Sequence, residues 1–115
     1  MPSPTPRQAV YAALKTTGLP VTWDAWPIGK APPLPWITFK YRRDGEVFAD
    51  NSNYAELTKF MARLYYKEYD PEITGAFLEA IESIGPYRMY DDTYVDSERC
   101  YVAEYDFTFH PNREI

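Results

Sequence analysis

Few residues in this chain are of a type and spacing that could do covalent or metal chemistry. His110 is the only histidine and Cys100 the only cysteine, and they stand ten positions apart with no further ligand pattern around them. A metal site of the common kind needs several His or Cys ligands, so His110 reads as a solvated residue at a strand end. Cys100 as a nucleophile would need a base or a positive neighbour, and Arg99 is the sole helper in the sequence; the plainer reading is a small packing residue. Asp91, Asp92, Asp96 and Glu98 could gather oxygen ligands for calcium, but their spacing does not match an EF-hand loop and its turn glycine is missing. They read as a solvated acidic turn. The five glycines are scattered, so no phosphate-cradling loop exists. These observations predict no enzyme, no cofactor and no metal.

What remains is interaction chemistry. Aromatic residues make up 17% of the chain and 11 of them are Tyr, a side chain enriched where proteins meet proteins. Strand packing is the competing explanation for any one of them. Arg42-Arg43-Asp44-Gly45-Glu46 places paired charges at a predicted hairpin tip. A hairpin arm of this kind can reach a neighbour's sheet edge, or can simply be a solvated turn. The expected interaction residues are Arg42, Arg43, Asp44, Glu46, Phe48, Asp50 and Tyr54 on this arm, with Tyr105 on the exposed face of the last strand.

The formal net charge of −5 argues against a general nucleic-acid binder. Residues 1–43 carry six basic side chains against one acid, Asp24, while the other 16 acids follow. Such asymmetry suits a two-signed surface that meets copies of itself or a charged partner. One cysteine excludes an intrachain disulfide and points to a reducing compartment. The start of the sequence lacks a signal-peptide pattern, and no apolar run reaches the roughly 20 residues that span a bilayer. The expectation is therefore a protein made in a cytoplasm, with no membrane partner.

The elements that must position these residues are legible in part. Thr5, Pro6 and Gln8 form a capping-box start to a short helix, with Val10, Ala13, Leu14 and Thr17 on one face and Gly18 and Pro20 at its end. Val21 to Trp26 reads as a strand, and the prolines of 28–35 as an extended segment. Residues 36–41 alternate as a strong strand, and Asp44-Gly45 is a hairpin signal with Glu46 to Ala49 returning. Residues 54–67 fit a helix slightly better than a strand by periodicity alone. Asp70-Pro71-Glu72 starts a helix whose stripe is Ile73, Phe77, Ala80, Ile81 and Ile84, and Gly85-Pro86 stops it. Residues 87–94 and 101–109 form a terminal hairpin around Asp96-Ser97-Glu98, the second strand pairing an aromatic face with Val102, Glu104, Asp106 and Thr108. The whole predicts one α+β domain over 1–115, a mostly antiparallel twisted sheet with two helices packed on it and a protruding β-hairpin arm.

The order of short phrases carries a resemblance. Thr17-Gly18-Leu19-Pro20-Val21, Ala31-Pro32-Pro33-Leu34-Pro35-Trp36-Ile37, Phe48-Ala49-Asp50-Asn51, Leu64-Tyr65-Tyr66-Lys67-Glu68 and Asp70-Pro71-Glu72 are followed by an acidic, Tyr-rich hairpin. Across roughly residues 8–108 this series resembles a family of small tail-completion, or tail-terminator, proteins from tailed phages and prophages of Gram-positive bacteria. The departures are Trp36 where Tyr is commoner and a polar run after His110. The resemblance implies a homo-oligomeric ring, usually a hexamer, that caps the major tail tube protein and meets the head-completion, or connector, complex in the virion. It implies no catalytic residues. It also turns residues 54–67 from helix to strand, because the Leu64–Glu68 phrase leads out of a strand in that family. Two other readings stay open: a head–tail joining or minor capsid adaptor, and a monomeric phage-encoded inhibitor of a host protein.

Overall fold

The computed structural model describes residues 5–42, 58–97 and 99–109. Two helices and five strands are formed there: α1 (Pro6–Lys15), β1 (Val21–Trp23), β2 (Trp36–Tyr41), β3 (Thr58–Tyr66), α2 (Pro71–Ile84), β4 (Tyr87–Val95) and β5 (Cys100–Phe109). The fold is α+β, with a mixed, mostly antiparallel sheet.

Both helix starts are built from local hydrogen bonds. The Thr5 hydroxyl accepts from the Gln8 backbone N–H, and the Gln8 side chain accepts from the Thr5 N–H. This satisfies two donors that a helix start otherwise leaves orphaned. Asp70 Oδ1 accepts from Glu72 N–H at 3.0 Å ahead of Pro71, and the acidic Glu72 sits in the favourable first turn of α2. α1 ends at Lys15, and Gly18 turns the chain at φ +82°, a left-handed conformation that suits glycine.

The strands lie in the order β1-β2-β3-β5-β4. β1 runs parallel to β2, and every other pairing is antiparallel. Residues 58–66 are a strand, with Ile37 opposite Leu64 and Leu64 opposite Ala103 in the centre of the sheet. Packing explains why the strand prevails over the helical periodicity. Thr58, Phe60, Ala62 and Leu64 point to one face and are all buried, which a period of two achieves and a period of 3.6 does not.

One expectation needs correction. The first strand stops at Trp23 rather than Trp26, because Asp24 takes a left-handed φ of +68° and Pro27 follows. β2 pairs with β3 along its whole length and with β1 over Ile37, Thr38 and Phe39. The predicted returning strand at 46–49 and the tip of the arm lie outside the described residues.

Both helices pack on one face of the sheet. Val10 and Leu14 of α1 join Phe77, Ala80, Ile81 and Ile84 of α2 over Ile37, Phe39, Phe60, Ala62, Leu64, Ala103, Tyr105 and Phe107. Phe60 stacks on Phe107 with centroids 5.7 Å apart. The alternation predicted for 36–41 and 101–109 is what presents these side chains together.

Candidate interaction surfaces

No described helix lies on the opposite face of the sheet, and its chemistry is different. Reading across in register, it holds Trp36, Thr38 and Lys40 of β2, Met61, Arg63 and Tyr65 of β3, Val102, Glu104 and Asp106 of β5, and Arg88, Asp91 and Thr93 of β4. Charged side chains there are cross-strand partners. Arg63 Nε donates to Glu104 Oε1 at 2.9 Å. Burial opposes the charge on Arg63, but the hydrogen bond and charge of Glu104 outweigh it and raise its pKa. Arg42 Nη1 lies 3.1 Å from Asp106 Oδ2, and Arg88 Nε lies 3.9 Å from the same oxygen. Asp106 is only 5% exposed and Glu104 8%, so neither belongs to a solvated strand face.

This revises two expected interaction residues. Arg42 is not a free charge on an arm. Its backbone N–H donates to Lys59 O at 3.1 Å, and its side chain is 22% exposed while holding Asp106. Tyr105 is not on an exposed face either: it is 5% exposed and packs edge-on against Phe77 of α2 at 5.7 Å. Alternation along β5 was read correctly, but α2 covers the aromatic face at Tyr105 and leaves it bare at Tyr101. Arg43, Asp44, Glu46, Phe48, Asp50, Tyr54, Glu98 and His110 lie outside the described residues. Cys100 is buried at the start of β5. Asp91 and Asp92 stand on β4 as exposed residues, and no group of three metal-ligating side chains converges among the described residues. No described helix is long and apolar enough to cross a membrane.

Three surface features stand out. The first is an aromatic strip around β4 and β5. Tyr101 stacks on Tyr66 at 5.5 Å and meets Tyr94 edge-on at 5.0 Å, and Tyr69, Tyr87, Met89, Tyr94 and Tyr101 are all exposed. Tyr66 donates its O–H to Asp92 Oδ1 at 3.2 Å. Desolvation, then the Asp92 charge, push the Tyr66 phenol up to about 12. Tyr87 donates to Glu82 Oε2 at 3.0 Å, which raises its pKa. β4 lies at the edge of the described strands, and its register shift between Met89 and Asp91, with two acids beside it, discourages simple strand addition.

The second feature lies at the opposite edge of the sheet, by β1 and β2. Tyr11 and Tyr41 are exposed there, with Tyr41 4.9 Å from Trp23 and Tyr11 6.3 Å from Phe39. The Arg7 guanidinium lies 3.9 Å above the Trp23 ring.

The third is a groove of about 630 Å³ on the helix-free face, where residues 24–31 stand beside β2, β3 and β5. Trp26, Trp36 and Tyr65 form its aromatic wall. Trp26 meets Trp36 edge-on at 5.9 Å, and Trp36 lies against Tyr65 at 4.3 Å. Arg63 and Glu104 line the same groove. Sequence reasoning missed it, although the tryptophans at 26 and 36 flanking a proline-rich segment were the available signal.

No protein-family model, curated protein or solved structure matches the chain.

Proposed function

We propose that this chain is a tail terminator of a long-tailed phage or prophage. Copies associate side by side into a ring, a hexamer in the resemblance, that caps the tail tube and joins it to the head-completion complex. The observation that supports the ring is the division of exposed tyrosine and apolar side chains between the two edges of the sheet. Tyr69, Met89, Tyr94 and Tyr101 lie around β4 and β5, and Tyr11 and Tyr41 lie around β1 and β2. Two different patches at opposite edges of one sheet suit a head-to-tail contact, and such contacts close into rings when the rotation permits. A two-fold dimer would need only one self-complementary patch. The phrase order across residues 8–108 supports the tail assignment within the broader class of assembly proteins.

The test is native mass spectrometry of the protein alone and mixed with its cognate tail-tube protein, over a range of concentration and salt. A closed ring, formed alone or on the tube protein, is the expected result. Tyr94→Ser combined with Tyr101→Ser is expected to abolish the ring with little change in stability, since both side chains are exposed. A protein that stays monomeric and ignores the tube protein under all conditions overturns the reading.

A further inference from the structure

The groove on the helix-free face has chemistry that the ring does not use. Its walls bear three carboxylates, Asp24, Asp91 and Glu104, against one guanidinium, Arg63. Glu104 and Arg63 neutralise each other at 2.9 Å. Asp24 is loosely matched by Lys40 at 3.9 Å, with both side chains substantially exposed. The surplus is negative and lies beside three aromatic rings. A cation placed there gains from both, because the ring faces carry partial negative charge. The indole N–H of Trp26 adds a second requirement. Its Nε1 is buried and has no hydrogen-bond partner among the described residues. A buried donor left unmet is costly, and an incoming acceptor removes that cost.

We propose that this groove is a docking site for an extended peptide segment of a partner protein that presents an arginine or lysine side chain. The basic side chain lies along Trp36 and Tyr65 towards Asp91, and the Trp26 ring turns to bring its shielded Nε1–H out to a backbone carbonyl of the peptide. Charge complementarity selects the basic residue. The size of the groove and the indole donor select a peptide over a small free cation. About 630 Å³ is the scale of sites that hold ligands of several groups, and a peptide backbone offers one carbonyl per residue while a simple ammonium ion offers none. Extended peptides in aromatic grooves are a recurrent recognition mode for the same reasons. The site stands apart from the two apolar patches, so it does not depend on the ring.

The experiment is a titration of the ¹⁵N-labelled protein followed through its three indole N–H resonances, assigned by single Trp→Phe variants. The probes are acetyl-Pro-Arg-Pro-amide, acetyl-Pro-Glu-Pro-amide and tetramethylammonium chloride. With the arginine peptide, the Trp26 and Trp36 resonances are expected to move and saturate at a Kd of about 1 mM, as a short ligand with few contacts allows. Trp23, on the helix-covered side with Arg7 above it, is expected to stay still. Asp91→Asn, a change at an exposed residue, is expected to weaken binding several-fold and leave the rest of the spectrum in place. An unsaturated response, or an equal response to the glutamate peptide, overturns the proposal. An equal response to tetramethylammonium also overturns it, in favour of a small-cation site.

Discussion

The two faces of this sheet are made by the same strands and obey different rules. On the helix-covered face, Ile37, Phe60, Leu64 and Phe107 are buried by apolar contact with Phe77 and Ile81. On the helix-free face, Glu104 and Asp106 are nearly as buried, yet they are held by Arg42 just after β2, Arg63 of β3 and Arg88 of β4. The first face gains stability from area removed from water, which is non-directional and tolerant of exact placement. The second depends on particular partners, because a buried charge is tolerable only when matched. One face makes the core. The other is free to hold a groove and charges that recognise something.

Breaking the apolar face should have the largest effect. Phe77→Ala removes a fully buried ring and its edge contact with Tyr105, and is expected to cost about 4 kcal/mol in urea unfolding. A cost below 1 kcal/mol would mean that α2 is loosely seated. Next comes Arg42→Glu, which sets a carboxylate beside buried Asp106. Its expected cost is about 3 kcal/mol, the scale for breaking a buried ion pair, moderated by Arg88 nearby. If stability is unchanged, Arg42 belongs to a free arm after all.

A paired substitution sharpens the contrast. Arg63→Met alone is expected to destabilise by about 1 kcal/mol, since Glu104 loses its partner while Arg63 is itself one-third exposed. Arg63→Met with Glu104→Leu is expected to restore stability to about that of the parent, because an apolar pair replaces the ion pair without leaving a buried charge. A double variant no better than the single one would show that this ion pair has no strong coupling.

The smallest effect is in the alkaline limb of the pH profile. The Tyr66 phenol rises from its ordinary 10 to about 12 through desolvation and Asp92. A raised folded-state pKa gives stability that is complete below the unfolded value and is lost as pH climbs through the folded one. Stability should therefore fall between about pH 10 and 12, and Tyr66→Phe should flatten part of that fall. Parallel profiles for the two proteins would dissociate Tyr66 from it.

Much of the architecture was legible because its causes are local. The capping box at Thr5 and Gln8, the Asp70-Pro71 helix start and the α2 stripe act within a few residues of each other. The turn at 96–99 likewise joins strands that are neighbours in sequence. The strand at 58–66 was different: its periodicity leaned towards a helix, and only the resemblance to a phrase at 64–68 tipped it. Burial against both neighbours supplied the physical reason.

The candidate surfaces were less legible. The alternation of β5 correctly separated Tyr101 and Tyr105 from Glu104 and Asp106, but it could not say which tyrosine α2 would cover. By itself the sequence determined both helices, the strands at 36–41 and 101–109 and which of their side chains share a face, because these follow from backbone geometry over one or two turns or pleats. Only the tertiary structure decided the order β1-β2-β3-β5-β4, the seat of Arg42 on Asp106 and the groove beside Trp26 and Trp36. Arg63 and Glu104 are 41 positions apart, and nothing in the intervening sequence specifies that they meet. Their meeting is set by the register of β3 on β5, which forms only when the whole apolar face packs and offsets the entropy of closing so long a loop.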